Sequence, residues 1–387
     1  MKILHTSDWH LGHVLYGYDR TVEQQSMLEQ IKGIIKEEQP DAMVVSGDVY
    51  HTSQPSTAVQ TMFTEAIVAM HKACPTMTIV ITAGNHDSGS KYKIFKTPWR
   101  FFNVHSIGNI DKNNPESHII QMPDKGFIVA VPYAYERTIP EGFFQQLLDK
   151  VEERNTYGLP VVMMAHTTVQ GCNFTGHDNA SETSVGGIDS MPHDAFGKDY
   201  DYLALGHIHH AQFIHGTNHR MRYSGTPLAV SFDETYDHSV SLVEISKHGE
   251  EPKLTVIPID NPQPLVTLPT QGTASWDEAK KLLESFPNDN QAYIRLNVEV
   301  NDFLPSGAMD EARSIANDKQ CRVCHINTKR PERIHSQAKA LTVEELQKIS
   351  PLNLVKRFAN DKNVVFDRTM EDMFNEVLAA LQQQERN

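Results

Sequence analysis

Cysteine is scarce in this sequence: its 387 residues include four, Cys74, Cys172, Cys321 and Cys324. Four cysteines in a chain of this length do not make a disulfide framework, so we expect reduced thiols and a cytoplasmic protein. Apolar runs long enough to cross a bilayer are also missing, which argues against a membrane protein. The N-terminus lacks the basic and apolar stretches of a secretion signal, so we expect no export.

Positive charge is in deficit as well, with 35 Lys and Arg against 49 Asp and Glu and a net charge of −14. Affinity for nucleic acid rests mainly on Lys and Arg, so a chain this acidic is a poor autonomous binder of DNA or RNA. A polyanionic substrate would need bound dications, a local basic patch or a partner subunit to supply the positive charge. Histidine, by contrast, is abundant at 20 residues.

Apolar segments and amphipathic helical patterns alternate at the start of the chain and predict the order β-α-β-α-β. Strands are expected at 2–7, 41–46 and 76–83, with helices at 20–38 and 55–72. Such buried strands are typical of a layered α/β core. A helix is predicted at 140–154, and further strands at 127–131, 160–165, 202–205, 212–214, 221–224, 240–245 and 254–259. The last four alternate like antiparallel strands and predict a second sheet.

The remainder of the chain predicts a change of organisation. Three prolines within 261–272 indicate a linker. We therefore divide the sequence into a first domain at 1–270, a small α+β module at 271–337 and a helical segment at 338–387. Within that segment, Ser350-Pro351 predicts a helix N-cap followed by proline at the first helical position.

Five predicted strands end in motifs with metal-capable side chains. These motifs are Asp8-x-His10, Gly47-Asp48, Gly84-Asn85-His86-Asp87, His166 and Gly206-His207-x-His209. Ligands collect at the carboxyl ends of strands in open sheets, so the five loops can face one site. Oxygen and imidazole donors without thiolate suit divalent metals such as Mn²⁺, Fe²⁺ or Zn²⁺. Two ions ~3.5–4 Å apart can stabilise the entering and leaving oxygens of a displacement at phosphorus.

Each motif also has a simpler explanation when it is taken alone. A Gly-Asp pair after a strand, such as Gly47-Asp48, is usually a turn. A lone histidine at a strand end, such as His166, is more often a hydrogen-bonded core residue. Five such motifs, each directly after a buried strand, are explained better by one metal site than by five unrelated turns.

The motif set resembles that of the calcineurin-like metallophosphoesterase superfamily, which runs D-x-H, G-D, G-N-H-[DE], H and G-H-x-H. The residues around the motifs resemble the SbcD nuclease family, the bacterial counterpart of archaeal and eukaryotic double-strand-break repair nucleases. This likeness rests on Ile3–Gly12, Gly47–His51, Gly84–Ser88, Ala204–His209, Arg222–Pro227 and Ser231–Glu234. It implies an α/β fold of two mixed β-sheets flanked by helices, with a small α+β capping domain and C-terminal helices.

The resemblance also implies roles for individual residues. It implies one metal ion held by Asp8, His10, Asp48 and His209, and a second held by Asp48, Asn85, His166 and His207, with Asp48 bridging. His86 would act on the leaving group as general acid, a role that contributes typically ~10²–10⁴-fold. Asp87 would fix the tautomer of His86, and His51 would contact the phosphate. The expected cofactors are two divalent ions, with Mn²⁺ as the expected metal.

The function implied is that of a DNA nuclease in repair, recombination and replication. It would degrade duplex ends exonucleolytically and cut single strands or hairpins endonucleolytically. Its expected partners are DNA and an SbcC-type ATPase, whose coiled-coil base would receive the helices from Leu341 onward. The expected assembly is a homodimer within a heterotetramer. Two alternatives stay open: a metallophosphatase or phosphodiesterase of small molecules or phosphoproteins, and an inactive scaffold for the ATPase.

Three further segments allow two interpretations each. Lys91–Arg100 interleaves basic and aromatic residues, which indicates either a grip on DNA or an amphipathic segment with solvated lysines. Lys319–Lys339 is basic and predicts either a second DNA contact or a solvated loop. Cys321-x-x-Cys324-His325 matches the pattern of covalent haem attachment, but that chemistry needs an exported chain. We therefore expect the two cysteines to be small residues within a strand.

Overall fold

Two six-stranded sheets lie at the centre of the protein, as seen in a computed structural model. The structure describes residues 1–135, 138–176, 190–330, 349–361, 366–368, 370, 371, 373–375 and 378. The chain divides into two units, Met1–Arg330 and Pro331–Asn387. Among the described helices, none combines the length and the apolar character needed to cross a lipid bilayer.

Short strands and amphipathic helices alternate along the described chain. The strands are β1 (Lys2–Thr6), β2 (Val14–Leu15), β3 (Tyr18–Asp19), β4 (Ala42–Ser46), β5 (Thr78–Thr82), β6 (Val104–Ile107), β7 (Ile119–Met122), β8 (Gly126–Ala130), β9 (Val161–His166), β10 (Tyr202–Gly206), β11 (Gln212–Phe213), β12 (Met221–Tyr223), β13 (Ser239–Glu244), β14 (Lys253–Pro258), β15 (Leu265–Leu268), β16 (Ala292–Glu299) and β17 (Cys321–Lys329). The helices are α1 (Thr21–Glu38), α2 (Thr57–Ala73), α3 (Gly89–Trp99), α4 (Phe143–Arg154), α5 (Trp276–Ser285), α6 (Ala308–Ile315) and α7 (Pro351–Asp361).

Both large sheets are mixed. The first has the order β14-β13-β1-β4-β5-β6, and the second has the order β11-β12-β10-β9-β8-β7. In the first sheet β1, β4, β5 and β6 are parallel, while β13 runs antiparallel to β1. In the second sheet β8, β9, β10 and β12 are parallel. The predicted fold class, two mixed sheets flanked by helices, is confirmed.

The core has three apolar layers because the central strands are buried on both faces. Ile3 on β1 packs between the two sheets with residues such as Val44 and Met164. Leu4, the next residue, faces the opposite way and packs with the apolar sides of α1 and α2. The outer face of the second sheet packs against α4 through residues such as Leu147. Alternation within continuous apolar runs therefore feeds two layers at once.

Two predictions about the later strands are wrong. The segment 212–259 does not form a sheet of its own, because β11 and β12 extend the sheet of β10 while β13 and β14 extend that of β1. The stretch 261–272 is not only a linker, since Leu265–Leu268 pairs in parallel with β16. The prolines lie outside β15, where a strand tolerates them. The sequence pattern also missed α3, β6 and β7.

The region after β15 has its own apolar core. Helices α5 and α6 pack on the sheet β15-β16-β17 through residues such as Leu283, Ala312 and Val323. Cys321 and Cys324 are buried in β17, as expected for small strand residues. The division into domains at 1–270, 271–337 and 338–387 stays a prediction.

Two predicted features of the C-terminal part have different outcomes. In the second unit, helix α7 begins at Pro351, and the backbone N–H of Asn353 donates to Ser350 Oγ at 3.4 Å, so the predicted N-cap is confirmed. In the first unit, Lys319 donates to the backbone oxygens of Glu284 and Phe286 and is thereby engaged within the fold. The rest of the basic segment beyond residue 330, and Leu341, lie outside the described residues.

Candidate metal centre

The five predicted motifs come together where the carboxyl ends of the two sheets meet. Backbone hydrogen bonds tie the loop after β1 to the loop after β4: Asp8 N–H donates to Gly47 O, and His10 N–H donates to Asp48 O, both at 3.0 Å. The backbone N–H of His207, after β10, donates to the Asp8 carboxylate at 3.1 Å. The loops of both sheets are therefore joined through Asp8.

Several of these side chains sit on an unusual backbone. Asp8, His10, Asp48 and His207 have positive φ angles of 53°, 45°, 48° and 99°. Such conformations cost of order 1–3 kcal/mol each for residues other than glycine, and they concentrate at functional sites. The fold therefore holds four of the predicted ligands in conformations that a simple turn would avoid.

The first group of donors consists of Asp8, His10 and His209. Their ligand atoms all lie within 4.8 Å of one another, and the three residues are buried. The Nε2 atoms of His10 and His209 are 3.2 Å apart. His209 Nδ1 lies 3.0 Å from the Glu234 carboxylate, which fixes its proton on Nδ1 and leaves the Nε2 lone pair facing His10. Such a lone pair is a suitable ligand for a cation.

The second group contains Asp8, Asp48 and His166, whose ligand atoms also lie within 4.8 Å of one another. His166 Nδ1 donates to the backbone oxygen of Ser46 at 2.7 Å. Its Nε2 faces two oxygens, Asn85 Oδ1 at 3.0 Å and Asp48 Oδ2 at 3.4 Å.

Asn85 and Asp48 connect these donors to the rest of the set. His207 Nδ1 lies 3.0 Å from the same Asn85 oxygen that faces His166. Asp48 Oδ2 is also 3.9 Å from His10 Nε2. Asp48 therefore lies between the two groups, as its predicted bridging role requires.

The electrostatics of the site favour a bound positive charge. Burial opposes protonation of His166, yet the Asp48 carboxylate outweighs it and raises the pKa of His166 to about 9. Burial likewise opposes ionisation of Asp48, but His166 and His10 hold the pKa of that carboxyl well below its usual range. Burial raises the pKa of Asp8. Buried carboxylates and inward-facing oxygens of this kind fit divalent cations, which would supply the missing charge.

Gly84 permits the close approach of two of the loops. A Cβ atom at Gly84 would lie 2.0 Å from Asp48 Oδ1 and 2.3 Å from the Asp48 backbone nitrogen. The N–H of His86, two residues later, donates to the same Oδ1 at 2.9 Å. Any side chain at Gly84 would therefore displace the carboxylate that links the two groups.

His86 is held at the site by His51. His86 Nδ1 lies 2.9 Å from the backbone oxygen of His51, and the two imidazole rings stack with centroids 5.6 Å apart. Because Nδ1 donates to this carbonyl, Nε2 is the nitrogen left to exchange a proton. The His86 ring also contacts the His10 ring edge to face, with centroids 5.0 Å apart.

The prediction that Asp87 fixes the His86 tautomer is wrong. The buried Asp87 carboxylate instead accepts hydrogen bonds from the backbone N–H groups of Val49, Tyr50 and Gly84 and from the Tyr92 hydroxyl, at 2.9–3.2 Å. Burial, reinforced by Asp48, raises the pKa of Asp87 to about 6. The position of Asp87 is that of a structural tie between the loops after β4 and β5.

Glu234 is the residue near the site that the sequence motifs did not identify. Its side chain is fully buried, and it accepts hydrogen bonds from His209 Nδ1 at 3.0 Å and Thr226 Oγ1 at 2.8 Å. The Val230 N–H donates to it at 3.2 Å. Despite burial, the hydrogen bond from His209 lowers the pKa of Glu234. The Ser231–Glu234 tract resembled the family, but 25 residues separate Glu234 from His209, so spacing alone could not pair them.

Comparisons with known proteins agree with this chemistry. A family model described as calcineurin-like phosphoesterase matches residues 1–211, which is more than half of the 387 residues. A second model, described as type 5 capsule protein repressor C-terminal domain, matches residues 261–363.

Curated relatives match most of the chain. The SbcD subunit of the nuclease SbcCD from Rhodobacter capsulatus is 32% identical over 314 residues, which cover 73% of this chain and 75% of that protein. The protein of the same name from Bacillus subtilis is 31% identical over 330 residues, covering 79% and 80%. The one from Escherichia coli K12 is 30% identical over 258 residues, covering 60% and 62%.

Proposed function

The chain belongs to the SbcD family of calcineurin-like phosphoesterases, and from this premise we propose that it is the nuclease subunit of an SbcCD-type complex. It hydrolyses phosphodiester bonds in DNA with two divalent metal ions, for which Mn²⁺ is the proposed metal. It removes nucleotides from duplex ends and cuts single strands or hairpins. The observation that carries the proposal is the convergence of seven oxygen and imidazole donors on one site, with two groups of three within 4.8 Å.

The seven donors divide between two ions in the proposal. One ion is held by Asp8, His10, Asp48 and His209, and the other by Asp48, Asn85, His166 and His207. When bound, such a pair supplies positive charge to the phosphate and lowers the pKa of a coordinated water. Hydrogen bonds from His209 to Glu234 and from His166 to Ser46 O hold two of the imidazoles in the tautomer that binds through Nε2.

The residues beside the donors handle the proton and the phosphate. The His51 carbonyl orients the His86 ring by accepting from Nδ1 at 2.9 Å, so His86 Nε2 delivers the proton to the leaving oxygen. The stacked His51 ring contacts a non-bridging oxygen of the phosphate. Asp87 has no direct part in this chemistry, because its carboxylate is occupied by four hydrogen bonds from the surrounding loops.

The partner proposed for this chain is an SbcC-type ATPase with a coiled coil. Its docking element is the helical segment 338–387, and the assembly is a heterotetramer built on a homodimer of this chain. Support comes from the relatives, whose name makes each of them one subunit of the SbcCD nuclease. The C-terminal family model also extends over α7.

The proposal is tested with end-labelled duplex DNA and Mn²⁺, in parallel with the phosphomonoester p-nitrophenyl phosphate. We expect metal-dependent shortening of the DNA and little hydrolysis of the monoester. Strong monoesterase activity without DNA cleavage would favour the metallophosphatase alternative. Absence of both activities, in protein that binds metal and the ATPase, would favour the scaffold alternative.

A further inference from the structure

A groove of ≈ 430 Å³ opens between helix α3 and the segment that follows β6. Lys93 and Lys96 on α3 and Lys112 on the facing segment line it, together with Ser106 and Asn109. All three lysines are exposed. The groove therefore presents ammonium groups from two separate parts of the chain, with hydroxyl and amide groups between them.

The charge of the groove is not neutralised by ion pairs. Among the described residues, no carboxylate lies within 4.0 Å of the ammonium groups of Lys93, Lys96 or Lys112. Asp111 is the acidic residue of the lining. Its carboxylate accepts from the backbone N–H of Asn113 and of Asn114, which holds it to its own turn. Three lysines against one such aspartate leave the groove basic on a chain of net charge −14.

The groove lies at the same edge of the sheet as the metal centre. Strand β6 is parallel to β5, and Thr82 near the end of β5 pairs with Ile107 at the end of β6. The N–H of Ala83 donates to the oxygen of Ile107 at 3.0 Å. The loop carrying Asn85 and His86 is therefore one strand away, about 4.8 Å, comparable to the ~3.4 Å rise per nucleotide of one DNA strand.

The two walls of the groove are fixed to each other. The backbones of Gly89 and Gly108 approach so closely that a Cβ atom at Gly89 would lie 2.1 Å from the oxygen of Gly108. Helix α3 is anchored by its aromatic side, since Tyr92 and Trp99 are each 6% exposed. These buried rings are unable to stack on DNA bases, so the basic face of α3 is the part available to a ligand.

We propose that this groove binds the phosphodiester backbone of DNA next to the phosphate that is cleaved. The inference deepens the proposed nuclease function and rests on it. Each lysine releases counterions from the DNA when it neutralises a phosphate, which the acidic remainder of the chain does not do. Lys93, Lys96 and Lys112 act on DNA binding and not on the chemical step, because they line a groove beside the metal centre.

The test compares wild type with Lys93→Gln, Lys96→Gln, Lys112→Gln and the triple variant. Values of kcat/KM are measured on duplex DNA over a range of NaCl concentrations and on the small diester bis(p-nitrophenyl) phosphate. Lys253→Gln is the matched control, because this exposed lysine lies on β14, at the opposite edge of the sheet and level with Lys2 at the opposite end of the strands.

Each single variant is expected to lower kcat/KM on DNA by about fivefold to tenfold at ~0.1 M NaCl and to reduce the slope of log kcat/KM against log [NaCl] by about 1. The small diester should be cleaved as by wild type, and Lys253→Gln should match wild type on both substrates. Unchanged DNA kinetics and salt slope in the triple variant would overturn the groove assignment alone. A wild-type protein that cleaves the small diester but not DNA would instead overturn the proposed function.

Discussion

Glu234 offers a sharp test of the site, because it contacts a proposed metal ligand without being one. Replacing Glu234 with glutamine preserves the volume and removes the charge. The carboxylate accepts three hydrogen bonds, from His209, Thr226 and Val230. A glutamine keeps one acceptor oxygen and places an N–H₂ group where the second oxygen accepted a bond. His209 is then no longer held firmly with its proton on Nδ1.

The size of the effect follows from this geometry. Removing the partner that orients a metal-binding histidine typically weakens metal affinity by 10–100-fold, or about 1.4–2.8 kcal/mol. The full range applies here because the Glu234 side chain is fully buried and the bond to His209 is 3.0 Å long. We therefore expect Glu234→Gln to raise the Kd of one Mn²⁺ ion by 10–100-fold and to leave the other ion less affected.

The assay is a calorimetric titration of metal-free protein with Mn²⁺, with thermal unfolding as a check on folding. Asp233→Asn is the matched control: this neighbour is 66% exposed on its side chain and pairs with Arg295 at 2.6 Å instead of with a metal ligand. Loss of an exposed pair costs about 0–1 kcal/mol, so metal affinity should not change. If folded Glu234→Gln bound both ions as tightly as wild type, the positioning role would be refuted.

Three further predictions concern other parts of the protein. His86→Ala should retain both metal ions by elemental analysis and lose about 10²–10⁴-fold in hydrolysis; a variant depleted of metal would show that His86 is a ligand. His5 is fully buried, and burial lowers its pKa to about 3. The unfolded chain therefore binds more protons between pH 6.5 and 3, and stability falls as the pH is lowered through that window, by a few kcal/mol in all. Urea unfolding should show a shallower decline in His5→Gln than in wild type; equal declines would contradict the assignment. A deletion from Leu341 onward should abolish binding of the ATPase in pull-down and spare DNA cleavage, and retained binding would rule out the docking role.

The strands that carry the site could be predicted because their patterns are local. Buried strands such as β1 and β4 are short apolar runs that end in polar motifs, so the pattern that marks the strand also marks its ligand. The metal-binding motifs were therefore found together with the sheet order of the first half. Chain pairing at the edges was harder: β13 and β14 alternate as expected, but nothing in their sequence specifies that β13 pairs with β1 instead of with β12.

The supporting residues could not be predicted because their roles depend on distant contacts. Asp87 follows His86 directly, which suggested a partnership, but the turn aims the carboxylate at the N–H groups of Val49 and Tyr50 instead. Glu234 reaches His209 only because β12 and the segment after it fold back beside β10. Helix α3 was missed because its apolar stripe is short and Pro98 lies within it.

The central claim is that two metal ions at one site hydrolyse DNA, and a Mn²⁺ titration tests it most directly. Metal-free protein would be titrated while bound metal and cleavage of end-labelled duplex DNA are measured on the same samples. We predict two ions per chain, with cleavage rising as the second ion binds, and a shift of both curves to higher Mn²⁺ in Glu234→Gln. Full cleavage with one ion per chain, or two bound ions without DNA cleavage, would contradict the claim.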